Sequence, residues 1–197
     1  MQYFKNIINK IVNLIYVQEQ RWYNNNELGE KWDMGNRLLK PLFKDVFGRS
    51  INPKEFDDRM LLQKLVYILQ ELGHEVDDYS FSWYKHGPYS QKLQNDILYI
   101  SYTPYLQNIN YTNSTKTDIE NLKCLFENRG EYSLEFWAEC IASLIMLKKY
   151  ILPINTSRED ILSEITKRKP HLNSEIDNYR ALEWIERNIL KNEARYN

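Results

Sequence analysis

Glycine is scarce in this chain, with six in 197 residues. None of the six falls in a phosphate-cradling loop or a G-x-G-x-x-G fingerprint, which argues against a Rossmann-type cofactor site or a P-loop. Cysteine is scarcer still. Cys124 and Cys140 stand in separate helix-like segments without a metal-type spacing, and are expected to be two buried thiols in a reducing cytosol rather than a disulfide. An excess of cations is also lacking: 26 Lys and Arg face 27 Asp and Glu, a formal net charge of −1. No global field therefore draws the chain to nucleic acid or to an anionic membrane, and any such binding needs a local patch. Long apolar runs are absent too. The most apolar stretch, Cys140–Leu147, is far too short to span a bilayer. The opening MQYFKNIINKIVNLIYVQEQ is interrupted by Lys10 and Asn13 and followed by no small-residue cleavage site, so a cytoplasmic protein is expected.

Catalytic signatures are missing as well. No H-E-x-x-H, paired-cysteine, EF-hand or G-x-S-x-G pattern occurs. The three histidines are His74, His86 and His171. His74 lies in ELGHEVDD, where Glu71, Glu75, Asp77 and Asp78 straddle a helix end and a loop, and this reads as a solvated loop rather than a metal site. Too little strand is present to build a nuclease core. The expectation is no catalytic, metal or cofactor residue, and no cofactor.

What the chain does have is helical periodicity. Phe4, Ile7, Ile8, Ile11, Leu14 and Ile15 predict an amphipathic helix over residues 3–22, suited to docking on the core or on a twin subunit as a homodimer. The polar stretch RWYNNNELGEKWDMG reads as a loop, and Leu38–Phe47 as a second helix with Pro41 near its first turn. Asp57 or Asp58 is a candidate cap for a third helix ending at Gly73. SFSWY alternates as a short strand, and Ser90 caps the helix after it. A polar loop then leads to helices over Asp118–Asn128, from Ser133, from Ser157 with Asp160 up to Pro170, and from Ser174 with Asp177.

The fold class that follows is mainly α: a compact helical domain in which a short strand or small hairpin leads into a helix. Within FSWYKHGPYS, residues 81–90, the residues Trp83, Gly87, Pro88, Tyr89 and Ser90 make a rigid strand-to-helix corner. The helix–helix–strand–helix run is partly winged-helix-like, which would offer Gln91, Gln94 and Asn95 to base edges. Charge speaks against that, because Lys92 is this helix's only cation and Asp96 follows one turn later. The cations Lys85, His86, Lys167, Arg168, Lys169 and His171 form a candidate binding patch if the basic helix end packs near the corner. The helix dipole accounts for Lys167 and Arg168 without function, and less well for His171 beyond Pro170.

Four motifs carry a family resemblance: LLQKLVYILQELG, FSWYKHGPYSQKLQNDI, the tryptophan-led FWAECIASLIMLKKY and TKRKPHL. In this order, over about residues 57–190, they resemble the signature of the YwgA-type bacterial and archaeal proteins. More distantly, K-L-V-Y followed by W-Y-x-x-G-P is similar to the Panacea domain of SocA-type antitoxins and proteolytic adaptors. The resemblance implies a helical domain, 57–197; residues 1–56 fall outside it and are expected to be an N-terminal helical extension. It also implies a non-catalytic protein that grips a partner protein, a toxin or a phage-defence effector. A winged-helix-like nucleic-acid-binding regulator is the alternative.

Overall fold

The computed structural model describes residues 30–190 except 104, 107 and 108, with side chains from residue 37 onward. The helix expected over residues 3–22 lies outside the described residues. Residues 36 onward belong to one compact unit, Asn36–Asn197. Among the described residues there are seven α-helices and one two-stranded sheet. They are α1 (Glu30–Phe47), α2 (Phe56–Glu71), β1 (Ser82–Tyr84), β2 (Gly87–Tyr89) and α3 (Gln91–Tyr99), then α4 (Asn113–Glu127), α5 (Leu134–Met146), α6 (Arg158–Arg168) and α7 (Glu175–Ile185). The fold is mainly α, with the single hairpin placed directly before a helix. No helix among the described residues is long and apolar enough to cross a membrane.

Helix α5 is the axis of the unit. Every residue from Trp137 to Met146 is buried, so beyond its first turn the helix has no solvent face. It packs against α2 and β2 on one side and against α7 and α6 on the other. Helix α2 is nearly as enclosed, with Met60–Leu69 buried. Leu39, Leu42, Phe43 and Val46 of α1, which precede the span of the family resemblance, share the same core.

Capping chemistry places most helix starts. The hydroxyls of Ser90, Ser133, Ser157 and Ser174 accept from the backbone N–H three residues on, at 3.4, 3.2, 3.1 and 3.4 Å. Thr112 does the same for Thr115, so α4 begins at Asn113 and not at the expected Asp118. Its first turns are polar and exposed, and hydrophobic periodicity has nothing to register there.

Other expectations need correction. Helix α1 already runs from Glu30, inside the stretch expected to be loop, and Pro41 lies in the helix interior rather than its first turn. Neither Asp57 nor Asp58 caps α2, which starts at Phe56 after Glu55. The carboxylate of Asp58 instead accepts from the Arg49 guanidinium at 2.8 and 2.5 Å and from the Asn52 N–H at 2.7 Å, closing the preceding loop. Cys124 is exposed and Cys140 buried, so only one of the two thiols is enclosed.

Candidate functional site

The corner begins as a hairpin. Ser82 pairs with Tyr89, Trp83 with Pro88 and Tyr84 with Gly87, leaving Lys85 and His86 as the two-residue turn. Gly87 sits at φ +81°, the left-handed region that a side chain resists. A Cβ there would also lie 2.4 Å from the Ser143 hydroxyl of α5. Glycine is required on both counts, because β2 is pressed against the central helix.

Three polar side chains from two helices hold this hairpin by its backbone. Lys64 of α2, 2 % exposed, donates its ammonium to the Pro88 carbonyl at 2.6 Å. Gln63 beside it brackets Ser90, donating to its carbonyl at 2.9 Å and accepting from its N–H at 3.0 Å. Lys169, just past the end of α6, donates to the Tyr84 carbonyl at 3.1 Å and also to the Lys85 carbonyl. The Gln-Lys pair of LLQKLVY and the last cation of TKRKPH are therefore grips on one turn.

Beneath the turn lies Glu139 of α5, with no solvent exposure. One carboxylate oxygen is 3.1 Å from the Lys169 ammonium and 3.1 Å from His171 Nε2, and the other is 3.2 Å from His86 Nδ1. Burial pushes the Glu139 carboxyl up, and the attraction of Lys169 and His171 more than reverses it, so the group is held below the usual carboxylate range. Burial brings the Lys64 ammonium down to about 7; Glu139 opposes the shift and the neighbouring Lys169 adds to it. Lys169 is lowered as well, by burial against the pull of Glu139.

A carboxylate only accepts hydrogen bonds, so His86 Nδ1, bonded to Glu139, carries a proton. In the neutral imidazole that leaves His86 Nε2 as an acceptor. The two side chains are 33 and 35 % exposed. Phenylalanines flank them. Ring centroids run Phe56 to His86 at 5.4 Å, His86 to His171 at 6.5 Å and His171 to Phe136 at 5.2 Å. Phe56 and Phe136 are 51 and 40 % exposed. Four adjoining rings from four chain segments thus reach solvent above one buried ion cluster.

The patch expected from sequence is brought together in part. His86, Lys169 and His171 converge. Lys167 and Arg168 lie on the outer face of α6, within 3.6 and 2.6 Å of Glu164, and the Arg168 guanidinium stands 5.6 Å from the Trp83 ring centre. Lys85 is exposed and makes no ion pair among the described residues. At the start of α3, Gln91 accepts from Tyr89 of β2 at 3.1 Å and donates to Asn95 at 3.0 Å. Lys92 is paired with Asp77 at 3.2 Å and with Asp78, and Asp96 accepts from Tyr79 at 2.9 Å. His74, 2.8 Å from Asp118, ties α4 to the loop after α2, and no group that could hold a metal ion occurs among the described residues.

Sequence reasoning missed Glu139, Lys64, Phe56 and Phe136. The signal for the first was present: a lone carboxylate inside the apolar WAECIASLIM needs a partner if that helix is central. No protein-family model, curated protein or solved structure matches the chain.

Proposed function

We propose that this is a non-enzymatic interaction protein that holds a partner protein on the Phe56–His86–His171–Phe136 row. In the sense of the family it resembles, it is an antitoxin-like or defence-associated regulator acting in the cytoplasm. One observation carries the reading: four adjoining rings are kept exposed, in fixed orientation, over a buried and charge-paired base. Aromatic anchors at an ordered site are what protein interfaces draw their affinity from, since little side-chain freedom is left to lose on binding. The partner surface that fits has apolar side chains seated against the two phenyl rings and a carboxylate or hydroxyl group between them for the imidazole nitrogens.

Charge favours this reading over nucleic acid. Lys169 is turned inward onto Glu139, Lys167 and Arg168 onto Glu164, and Lys92 onto Asp77 and Asp78. A phosphate backbone would have to compete with each of these pairs.

The test is co-expression of the tagged full chain with the products of its neighbouring genes, followed by affinity measurement at two salt concentrations. A stoichiometric complex is expected, weakened at least about tenfold by Phe136→Ala and little affected by salt. The opposite result is submicromolar binding of labelled DNA or RNA that survives about 150 mM salt and is lost on Lys167/Arg168/Lys169→Ala, which would replace partner binding by the nucleic-acid alternative.

A further inference from the structure

A second site lies across the molecule's α2 face. Tyr67, Gln70 and Glu71 fall at i, i+3 and i+4 of α2 and so share one stripe of the helix. They form the floor of a groove of about 610 Å³, closed on the other sides by the segment Tyr79–Trp83 and by Met146–Ile151. That volume is within the range of small-ligand sites. The far wall is a π-helical turn, Leu147–Ile151, which carries Lys149 and Tyr150 to the groove. Single π turns recur at functional sites because they re-aim side chains out of helical register.

Two oxygens in the floor accept no hydrogen bond. The Gln70 NH₂ donates to the carbonyls of Asp77 and Tyr79, at 3.3 and 3.2 Å. Those two acceptors fix which end of the amide is nitrogen, and Gln70 Oε1 is left buried as a bare acceptor. The Tyr67 hydroxyl, on a side chain 2 % exposed, is likewise buried; its proton faces the Glu71 carboxylate, and its oxygen accepts no hydrogen bond. The Glu71 carboxylate lies at the same end, with Lys149 at 2.7 Å and the Tyr150 hydroxyl 3.1 Å from each oxygen. Tyr150 is 62 % exposed, so its hydroxyl is the part that can move aside, while Lys149 stays paired with Glu71. The walls are aromatic, and the Trp83 ring already has cations over it: Lys169 at 5.0 Å and Arg168 at 5.6 Å from its centre.

Acceptors in the floor, a carboxylate at one end and aromatic walls together select a flat cation that donates from its edge. We infer that the groove binds a guanidinium group, free or borne on an arginine side chain. An ammonium lacks the planar fork that would reach Gln70 Oε1 and Tyr67 together while lying against the rings. The guanidinium displaces the Tyr150 hydroxyl from Glu71 and gives the oxygens of Gln70 and Tyr67 a donor. This site is separate from the four-ring row and does not depend on its role.

The test is a titration of the ¹⁵N-labelled full chain with arginine amide, an acetylated arginine-containing pentapeptide, and lysine amide as comparison. Saturable shifts confined to the groove are expected with both arginine probes and not with lysine amide. Tighter binding of the peptide identifies a polypeptide source; equal binding identifies a free small molecule. Tyr67→Phe removes a hydroxyl whose oxygen accepts nothing, so it should fold with a melting temperature close to wild type while weakening the arginine probes about tenfold. Phe136→Ala should leave arginine binding unchanged, which separates failure here from failure of the ring row. Absence of saturation with both arginine probes, equal binding of lysine amide, or unaltered affinity in Tyr67→Phe overturns the inference.

Discussion

Lys167, Arg168 and Lys169 are consecutive in the chain but sit in very different surroundings. The first two extend from α6 into solvent and pair with Glu164 one turn back, an arrangement that water and salt screen. The third is 3 % exposed, meets a carboxylate with no exposure at all and also holds two backbone carbonyls of the hairpin. A run of like charges is thus not a unit of function. What each cation does depends on the dielectric around it and on whether an alternative partner, water, is at hand.

Glu139→Gln should break the contrast most. It leaves Lys169 buried without a counter-charge and should destabilise the fold by about 3–5 kcal/mol, read from urea denaturation. The double variant Glu139→Gln/Lys169→Met should recover part of that loss; equal destabilisation of the single and double variants would show that the pair is not the source.

The pH dependence is next in size. The Lys64 ammonium ionises lower in the folded than in the unfolded chain, about 7 against an ordinary 10.5. Between those values the unfolded state binds more protons, so stability should rise with pH, by at most about 1.4 kcal/mol per unit for this one group. Lys169, also lowered, acts in the same direction. Glu139 acts at the acid end: its folded value is depressed, so its contribution is present above the unfolded carboxylate value and lost as pH falls through the folded one. Melting curves from pH 7 to about 10 should show the alkaline rise reduced in Lys64→Met. An unaltered rise would place its origin elsewhere.

The smallest effect belongs to the outer cations. Lys167→Ala and Arg168→Ala should each leave the melting temperature within error of wild type, by scanning calorimetry. A loss comparable to that of Glu139→Gln would erase the distinction between the two clusters.

Much of the scaffold was legible because it is written in short-range chemistry. A serine three residues before an acceptor-seeking N–H is a cap wherever the chain goes, and four of the expected serines act as caps. The corner was legible for the same reason, since Gly87 and Pro88 restrict their own dihedrals. Helix α4 was partly hidden because its first turns have no apolar stripe, and Asp58 misled because a first-turn carboxylate looks like a cap until Arg49 takes it.

The two sites stand differently. That the chain would be mainly helical, with one hairpin turning into α3, followed from periodicity, caps and a glycine–proline pair acting within a few residues. Glu139, His86 and His171 are separated by 53 and then 32 positions, and no local rule joins them. Their meeting, and the oxygens of Tyr67 and Gln70 that accept nothing in the groove floor, come from the packing of α2, the hairpin, α6 and α7 around α5. Burial there removes water as a partner, so each charge must find another inside the fold or remain unsatisfied.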